Sequence, residues 1–238
     1  MNAPDWIDGR EQPRPDDCGP GVFETMRLAE GLLRRLERHL ARLERGARAH
    51  GFELRGDERE QLERYIAAHA LRDGVVRLAL EPGAKREQVH LSLSARAARC
   101  VPAEGATLLL VDAPRLPLDP DCVHKRTRRG VYELALARAR AEGAFDALLL
   151  DGEGQAVECA TANLHARIEG VWWSPGAPQG AFPGLEREDF LTRVGSAREA
   201  AIPLSLLQKA VAVRLTNSVL GEVEVSAIPG IWMRNRTD

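Results

Sequence analysis

The stretch Glu158-Cys159-Ala160-Thr161-Ala162-Asn163-Leu164 places a carboxylate at the end of a predicted strand and follows it with small and polar residues. Earlier in the chain, His124-Lys125 comes directly after a proline-rich segment, and later Gly184-Leu185-Glu186-Arg187 opens a predicted helix. A glycine-led helix start offers backbone N–H groups to an anion. A lone lysine would mean little, but a lysine, a carboxylate and a helix start together predict a binding site built from distant segments.

The composition excludes several classes of protein. A chain of 238 residues can bury a substantial core, and 44% hydrophobic with 29% charged residues is ordinary for a soluble globular protein. The formal net charge of −2 gives no overall attraction to nucleic acid or to an anionic membrane. No apolar stretch approaches the roughly twenty residues of a membrane-spanning helix, and the N-terminal residues do not resemble a signal peptide. We therefore expect a cytoplasmic protein.

The spacing of cysteines and histidines argues against a metal site. The four cysteines are scattered without a CxxC pair, and the six histidines show no HxxxH spacing. Pairs of this kind are typical of structural and catalytic zinc sites. The sequence therefore predicts neither bound zinc nor a disulfide framework.

Strand and helix patterns alternate along the chain and predict a mixed α/β (α+β) fold in two domains. The prolines between residues 113 and 123 exclude a helix interior or a central strand there. We predict a small N-terminal α/β domain over residues 1–112, a linker over 113–123 and a larger C-terminal domain over 124–238. Strands are predicted at residues 6–9, 22–28, 75–80, 89–94, 107–111, 147–150, 163–168, 171–173, 211–216 and 222–228, with another ending near 158, and helices at 36–47, 57–71, 131–142 and 185–194.

The motifs resemble the pyridoxal-phosphate site of the class IV aminotransferases, which have fold type IV. This family includes D-amino-acid and branched-chain aminotransferases and 4-amino-4-deoxychorismate lyase. The resemblance extends from Trp6 to about Ile228. It implies the two-domain architecture of D-amino-acid aminotransferase, a pyridoxal 5'-phosphate cofactor, a small amino substrate and a homodimer. In the family a lysine holds the cofactor aldehyde as a Schiff base, an anion keeps the pyridine nitrogen protonated, and backbone N–H groups bind the phosphate.

Lys125 is the candidate catalytic residue. A surface lysine is the alternative, because most lysines are exposed. The chain has only three lysines against thirty arginines, however, and arginine cannot form a Schiff base because it is not a primary amine. The resemblance implies that Lys125 carries the cofactor and moves the proton in the reaction.

Glu158 begins the pattern Glu-x-x-x-x-Asn-Leu, in which the family's glutamate contacts the pyridine nitrogen. A plain strand-end carboxylate is the alternative. Protonation of the ring makes the cofactor an electron sink, so an anion has a clear purpose at this place. The resemblance adds Thr161 and Asn163 as residues that fix the loop and support cofactor binding.

Arg42 is a candidate for binding the cofactor phosphate. A helical wheel over residues 36–47 places Arg42 and His39 at the edge of the leucine stripe and the neighbouring arginines in solvent. The segment His39-Leu40-Ala41-Arg42-Leu43 is similar to the family's His-x-x-Arg-Leu, whose arginine binds the phosphate. A guanidinium suits this role because it can donate two parallel hydrogen bonds. A solvated charged face is the alternative.

Further cofactor contacts are implied at Leu185 and Glu186, at the predicted helix start, and at Ser218. The family has a threonine where this chain has Glu186, and a carboxylate repels a phosphate dianion. Three outcomes stay open. Glu186 turns outward and only the backbone binds, or the affinity for the cofactor is reduced, or cofactor binding has been lost. Two other departures are Arg128, where an asparagine is common, and Cys18-Gly19-Pro20-Gly21, which replaces Tyr-Gly-Asp-Gly.

Thr25, Arg27 and Arg77 are candidate substrate-binding residues in predicted strands. Thr25 and Arg27 share one strand face, because side chains alternate along a strand. Each arginine lies in an otherwise apolar run, where it can bind a substrate carboxylate. An exposed sheet edge is the alternative for both arginines.

The stretch Thr216-Asn217-Ser218-Val219-Leu220-Gly221 is similar to Asn-Ser-Leu-x-Gly of the lyases. These enzymes eliminate pyruvate from 4-amino-4-deoxychorismate and leave 4-aminobenzoate. We therefore predict such a lyase, with a class IV aminotransferase of D-amino-acid or branched-chain type as the alternative. A diverged relative without pyridoxal phosphate is a further alternative. Nucleic-acid binding by the arginine-rich helix is disfavoured because glutamates interleave with its arginines.

Overall fold

The computed structural model describes residues 3–12, 20–83, 88–112 and 120–233. The chain forms two compact units, one of Met1–Arg99 with His124–Arg128 and the other of Cys100–Val123 with Arg129–Asp238. Cys18, Lys85 and residues 113–119 of the predicted linker lie outside the described residues. Within the described ranges, no helix is both long enough and apolar enough to cross a membrane.

The first unit is built on one antiparallel sheet. Its strands are β1 (Ala3–Ile7), β2 (Arg10–Glu11), β3 (Val22–Ala29), β4 (Leu32–Leu33), β5 (Gly74–Pro82) and β6 (Val89–Arg96). They are arranged in the order β2-β1-β6-β5-β3-β4, so β5 is an interior strand. The register pairs Thr25 with Arg77 and Glu24 with Leu78. Alternation along the strands therefore separates an apolar face from a face that carries Phe23, Thr25, Arg27 and Arg77.

Two helices cover the apolar face of this sheet. They are α1 (Leu36–Ala49), which packs on β3, and α2 (Glu58–Ala68), which contacts β6. Leu43 and Ala47 of α1 and Tyr65 of α2 are buried against strand residues such as Met26 and Leu78. The predicted elements are present, although α2 ends before the predicted residue 71.

The segment His124–Arg128 joins the first unit through β3. The Phe23 N–H donates to the Lys125 carbonyl at 2.9 Å, and the Thr127 N–H donates to the Gly21 carbonyl at 2.8 Å. The Gly21 N–H donates in return to Thr127 Oγ1 at 2.9 Å. A side chain at Gly21 would place its Cβ only 1.9 Å from the Leu80 carbonyl oxygen, so the close approach requires glycine.

Within its described residues, the second unit contains ten strands in one sheet. They are β7 (Ala106–Asp112), β8 (Asp146–Leu150), β9 (Gln155–Cys159), β10 (Asn163–Ile168), β11 (Val171–Trp173), β12 (Ala197–Arg198), β13 (Ile202–Pro203), β14 (Ala212–Asn217), β15 (Gly221–Ile228) and β16 (Trp232–Met233). Their order is β12-β11-β10-β14-β15-β7-β8-β9-β13, with β16 on β15 and a further pairing between β10 and β9. That pairing joins Glu158 to Asn163 and closes six strands into a ring.

In the part of the second unit that the structure describes, α-helices pack on the sheet. They are α3 (Gly130–Ala141), α4 (Leu185–Val194) and α5 (Leu204–Leu207). α3 connects the parallel strands β7 and β8 and buries Ala135 and Ala139 against them. α4 packs against β14 and buries Leu185 and Phe190.

The division into units differs from the predicted domains at two places. β7 pairs with β8 and β15, so the second unit begins at Cys100 rather than after residue 112. Lys125 belongs to the first unit rather than to the predicted C-terminal domain, because its backbone is hydrogen-bonded to β3. A proline pattern marks where regular structure stops, but it cannot show which sheet the flanking segments join.

Candidate functional site

Lys125 is held at the start of β3 in the first unit. Its carbonyl accepts a hydrogen bond from Phe23, and its Nζ lies 4.7 Å from the centroid of the Phe23 ring. The side chain is half-buried. The backbone bonds thus fix the base of the lysine, and the aromatic ring supports its ammonium group.

The three candidate substrate residues lie on the same face of this sheet as Phe23. Thr25 is directly opposite Arg77 on β5, and the Arg77 guanidinium carbon lies 4.5 Å from the Phe23 centroid. Arg27, two residues further along β3, is opposite Val75. Both arginines are half-buried, and Arg77 lies on an interior strand, so the edge-strand alternative does not apply to it. The structure therefore groups Arg77 and Lys125 around one aromatic ring.

Arg42 lies on the buried side of α1 and binds Glu24. Its Nε donates to Glu24 Oε1 and one terminal nitrogen donates to Oε2, both at 2.7 Å. His39 Nδ1 is also 2.7 Å from Glu24 Oε2. Burial opposes ionisation of this carboxyl most strongly, yet hydrogen bonds and charge from Arg42 and His39 lower the pKa of Glu24 to about 2.

Glu24 was not among the residues predicted for the site. It does carry a signal, because it is a glutamate on the strand face that otherwise holds Val22, Met26 and Leu28. A carboxylate buried among apolar side chains needs a cationic partner. Arg42 and His39 are both buried, so they do not lie on a solvated face of α1. Both bind the Glu24 carboxylate.

Glu158 is buried in the second unit, at the end of β9. Its Oε1 accepts a hydrogen bond from the Tyr132 hydroxyl at 2.7 Å, and its Oε2 accepts one from the Phe182 N–H at 3.0 Å. The two donors reach the carboxylate from different segments and fix its plane. A carboxylate whose plane is fixed presents its acceptor oxygens in fixed directions.

The loop after Glu158 is fixed by side chains of three strands. The Thr161 hydroxyl donates to Asp146, which is fully buried on β8. Asn163 donates from Nδ2 to the Phe182 carbonyl at 2.6 Å. Asn217, at the end of β14, donates from Nδ2 to the Thr161 carbonyl at 3.1 Å. Thr161 and Asn163 thus shape the segment beside Glu158, as the sequence pattern predicts for loop-fixing residues.

Leu185 and Glu186 form the first turn of α4. Gly184 precedes the helix in an extended conformation, and a Cβ built on it would lie 2.2 Å from Asn163 Oδ1. The absence of a side chain lets the loop containing Asn163 approach the helix start closely. Glu186 is only 9% exposed, so its side chain does not turn into solvent.

Ser218 lies in the turn between β14 and β15. Asn217 Oδ1 accepts hydrogen bonds from the N–H groups of Val219 and Leu220, at 3.0 and 2.8 Å. Asn217 therefore joins this turn to the Thr161 loop. Asn163, which is opposite Thr216 on β14, connects both to the start of α4.

Arg187 was not a candidate, yet it anchors this end of α4. It is buried and donates from Nε to Ser174 Oγ and to the Pro175 carbonyl, both at 3.0 Å. A terminal nitrogen also binds Glu199 at 2.6 Å. Arg128 and Pro20 are the two other positions at which the chain departs from the family pattern. Both side chains are exposed.

Comparisons with known proteins identify the family. The family model described as amino-transferase class IV matches residues 21–228. The chain belongs to the class IV aminotransferase family. No curated protein matches it.

Solved structures of class IV proteins are similar over nearly the whole chain. A candidate 4-amino-4-deoxychorismate lyase from Legionella pneumophila is 26% identical, with 95% of this chain and 91% of that one covered and a TM-score of 0.84. The 4-amino-4-deoxychorismate lyase from Pseudomonas aeruginosa is 27% identical, with coverage of 96% and 93% and a TM-score of 0.79. A candidate amino-acid aminotransferase from Mesorhizobium loti is 28% identical, with coverage of 87% and 99% and a TM-score of 0.74. The fold type IV architecture is thereby confirmed.

The class IV family depends on pyridoxal phosphate, and the donor set of this chain fits that cofactor. Glu158 supplies a buried carboxylate that is oriented by donors from two segments. Gly184 lets Asn163 pack closely against the start of α4. Backbone N–H groups at such a helix start can bind a phosphate. Lys125 supplies a primary amine. The one misfit in the donor set is the buried carboxylate of Glu186 on the first turn of α4.

Proposed function

We propose that this protein is a pyridoxal-phosphate-dependent lyase that eliminates pyruvate from 4-amino-4-deoxychorismate to give 4-aminobenzoate. The supporting observation is the Asn217 turn, which has the lyase-like sequence Asn-Ser-Val-Leu-Gly. In the structure Asn217 connects that turn to the loop after Glu158. The similarity to two lyase structures at 26% and 27% identity over nearly the full chain supports the same reaction.

Lys125 would hold the cofactor aldehyde, and Glu158 would accept a hydrogen bond from the protonated ring nitrogen. The N–H groups of Leu185 and Glu186 and the Ser218 turn would bind the phosphate. The resemblance also implies a phosphate contact for Arg42, but its parallel donors bind Glu24 in the structure. Thr161 and Asn163 would hold the loop that borders the ring. When bound, pyridoxal phosphate withdraws electrons from the carbon that bears the substrate amino group.

Lys125 would carry the proton through the elimination. Its Nζ would remove the hydrogen from the ring carbon that bears the amino group. The C–O bond to the enolpyruvyl group then breaks, and the ring becomes aromatic. The same Nζ would return the proton to the enolpyruvyl methylene, which yields pyruvate. A single base can serve both transfers when it is held in reach of both carbons.

The polar sheet face would bind the substrate. Both products are carboxylic acids, so the substrate carries two carboxylates. Arg77 and Arg27 provide two guanidinium groups on one face, and Thr25 lies directly opposite Arg77. A guanidinium binds a carboxylate well because it donates in parallel pairs. We propose that Arg77, which shares the Phe23 ring with Lys125, orients the carboxylate nearer the reacting carbon.

An amino-acid aminotransferase is the second candidate. The observation that favours it is the 28% identity to the Mesorhizobium loti protein, which is covered over 99% of its length. A relative without pyridoxal phosphate is the third candidate, and the burial of Glu186 favours it. For either enzyme we propose a cytoplasmic homodimer, as the family resemblance implies.

Product analysis separates these candidates. Purified protein with pyridoxal phosphate and 4-amino-4-deoxychorismate should release pyruvate and 4-aminobenzoate in equal amounts without any keto-acid acceptor. Transamination of D-alanine or leucine that needs an acceptor, without pyruvate from aminodeoxychorismate, would instead establish the aminotransferase. A colourless protein that is inactive in both assays would establish the relative without cofactor.

A further inference from the structure

Tyr132 is the side chain that holds Glu158, although no sequence motif points to it. It lies on the first turns of α3, and its hydroxyl donates to Glu158 Oε1 at 2.7 Å. The second donor is the Phe182 N–H, a backbone group at 3.0 Å from Oε2. Tyr132 therefore supplies a side-chain donor to a carboxylate that is only 3% exposed.

Arg129 fixes the position of the Tyr132 ring. Its guanidinium carbon lies 4.7 Å from the ring centroid, and its Nη2 donates to the Ala160 carbonyl at 2.6 Å. Ala160 follows Glu158 by two residues. The start of α3 is thus attached to the end of β9 at two adjacent points, once through Arg129 and once through Tyr132.

The chemistry of Tyr132 and Glu158 determines which of them donates the hydrogen bond. Burial, and then the nearby negative charge of Glu158, raises the pKa of the Tyr132 hydroxyl well above its usual value. The phenol therefore keeps its proton at ordinary pH and acts as the donor. A hydrogen bond donated to a carboxylate stabilises its charged form, and it determines which of the two oxygens binds the donor.

On the basis of the proposed cofactor site, we infer that Tyr132 is a positioning residue that orients Glu158 towards the ring nitrogen of pyridoxal phosphate. With Oε1 held by Tyr132 and Oε2 by Phe182, the carboxylate cannot rotate. The lone pairs of both oxygens then point in fixed directions. A bound pyridinium N–H then meets an acceptor that needs no reorganisation.

The substitution Tyr132→Phe tests the inference, because it keeps the ring and removes only the hydroxyl. The full chain, freed of cofactor, is titrated with pyridoxal phosphate and with its deaza analogue, in which a C–H group replaces the ring nitrogen. Tyr132→Phe should weaken binding of pyridoxal phosphate about tenfold, because a hydrogen bond to a charged group is lost. Binding of the deaza analogue should not change, since it makes no bond to Glu158.

Tyr65→Phe is the matched control, because Tyr65 and Tyr132 are the two tyrosines of the chain. Tyr65 is buried in the core of the first unit and packs beside Leu62 and Met26. Removal of the Tyr65 hydroxyl should leave the ratio of the affinities for pyridoxal phosphate and for the deaza analogue as in the wild type. A general loss of packing at residue 132 would lower both affinities equally.

The outcomes distinguish this inference from the proposed function. A wild type that prefers pyridoxal phosphate to the deaza analogue, with a Tyr132→Phe variant of unchanged preference, would overturn the role of Tyr132 alone. A wild type that binds both equally would overturn the role of Glu158 and the inference with it. A wild type that binds neither would overturn the proposed cofactor itself.

Discussion

Lys125 differs from the other described lysine in its surroundings. Its backbone is hydrogen-bonded to β3 and its Nζ rests on Phe23, whereas Lys209 is exposed after α5. Borohydride reduction of the protein with pyridoxal phosphate should therefore fix the cofactor on the peptide that contains Lys125. Lys125→Ala should abolish that adduct and lower turnover by about 10²–10⁴-fold, the usual contribution of a positioned base.

Lys209→Ala serves as the control for this experiment. It removes the same functional group from an exposed position and should leave both the adduct and the turnover as in the wild type. Peptide mass spectrometry measures the adduct directly. An adduct that remains in Lys125→Ala, or that is found on Lys85 or Lys209 of the wild type, would show that the lysine has been assigned wrongly.

Sequence motifs show candidate residues better than they show what holds those residues. Lys125, Glu158 and Arg42 are candidates from the sequence because each stands in a short pattern. Glu24 and Tyr132 could not be predicted in the same way. Each contributes through one contact with a residue from another element, and the distance along the chain hides that contact. A glutamate on the apolar face of β3 was still a usable signal, whereas Tyr132 gave none.

At the scale of elements, the first turn of α4 contains the clearest conflict in the site. The positive end of the helix dipole favours an anion, and the buried carboxylate of Glu186 would compete there with the phosphate of the proposed cofactor. Glu186→Thr removes the negative charge and adds a hydroxyl donor. It should tighten binding of pyridoxal phosphate by about tenfold or more at fixed ionic strength.

Glu188 provides the control on the same turn. It is also acidic but exposed, so Glu188→Thr changes the charge of α4 equally without changing the buried side. Titration of the cofactor-free protein should show little change in affinity for that variant. Equal effects of both substitutions would mean that only the long-range charge of the helix matters. No effect of Glu186→Thr would mean that the phosphate binds elsewhere.

The elements that could be predicted are those with local signals at both ends. β10, β11 and α4 have the predicted bounds, because Glu169 and Gly170 adopt positive φ at the hairpin and Gly184 and Gly195 flank the helix. α2 ends at Ala68, before the predicted residue 71. Ala70 then has a left-handed conformation, which the sequence does not indicate because the residue is not a glycine. Strands of two residues such as β12 and β13 were missed because they are too short to show a periodicity.

At the scale of the whole molecule, each unit buries one titratable group with a strongly lowered pKa. In the first unit the pKa of Glu24 falls to about 2 from its ordinary value of 4.5. In the second unit burial, followed by the charges of Arg187, Arg193 and Arg214, lowers the pKa of His165 to about 3 from 6.5. His165 is enclosed beside Phe190 and within 2.9 Å of Thr216 Oγ1.

The two groups should destabilise the protein in different pH ranges. Unfolded His165 binds a proton below pH 6.5 while the folded residue stays neutral down to about pH 3. As the pH decreases from 6.5 to about 3, the free energy of unfolding should therefore fall by about 1.4 kcal/mol per pH unit. The stabilisation from Glu24 is complete above pH 4.5 and is lost as the pH falls to about 2, in total about 3 kcal/mol.

Urea unfolding at a series of pH values tests this assignment through the slopes rather than through absolute stability. His165→Asn should flatten the pH dependence between 6.5 and 4.5. Glu24→Gln should leave that range unchanged and flatten the dependence below pH 4.5, because the glutamine cannot titrate. A His165→Asn variant with the wild-type slope between pH 6.5 and 4.5 would show that the folded protein can protonate His165 or that other groups dominate. The burial of His165 between Phe190 and Thr216 would then not set the acid stability of the second unit.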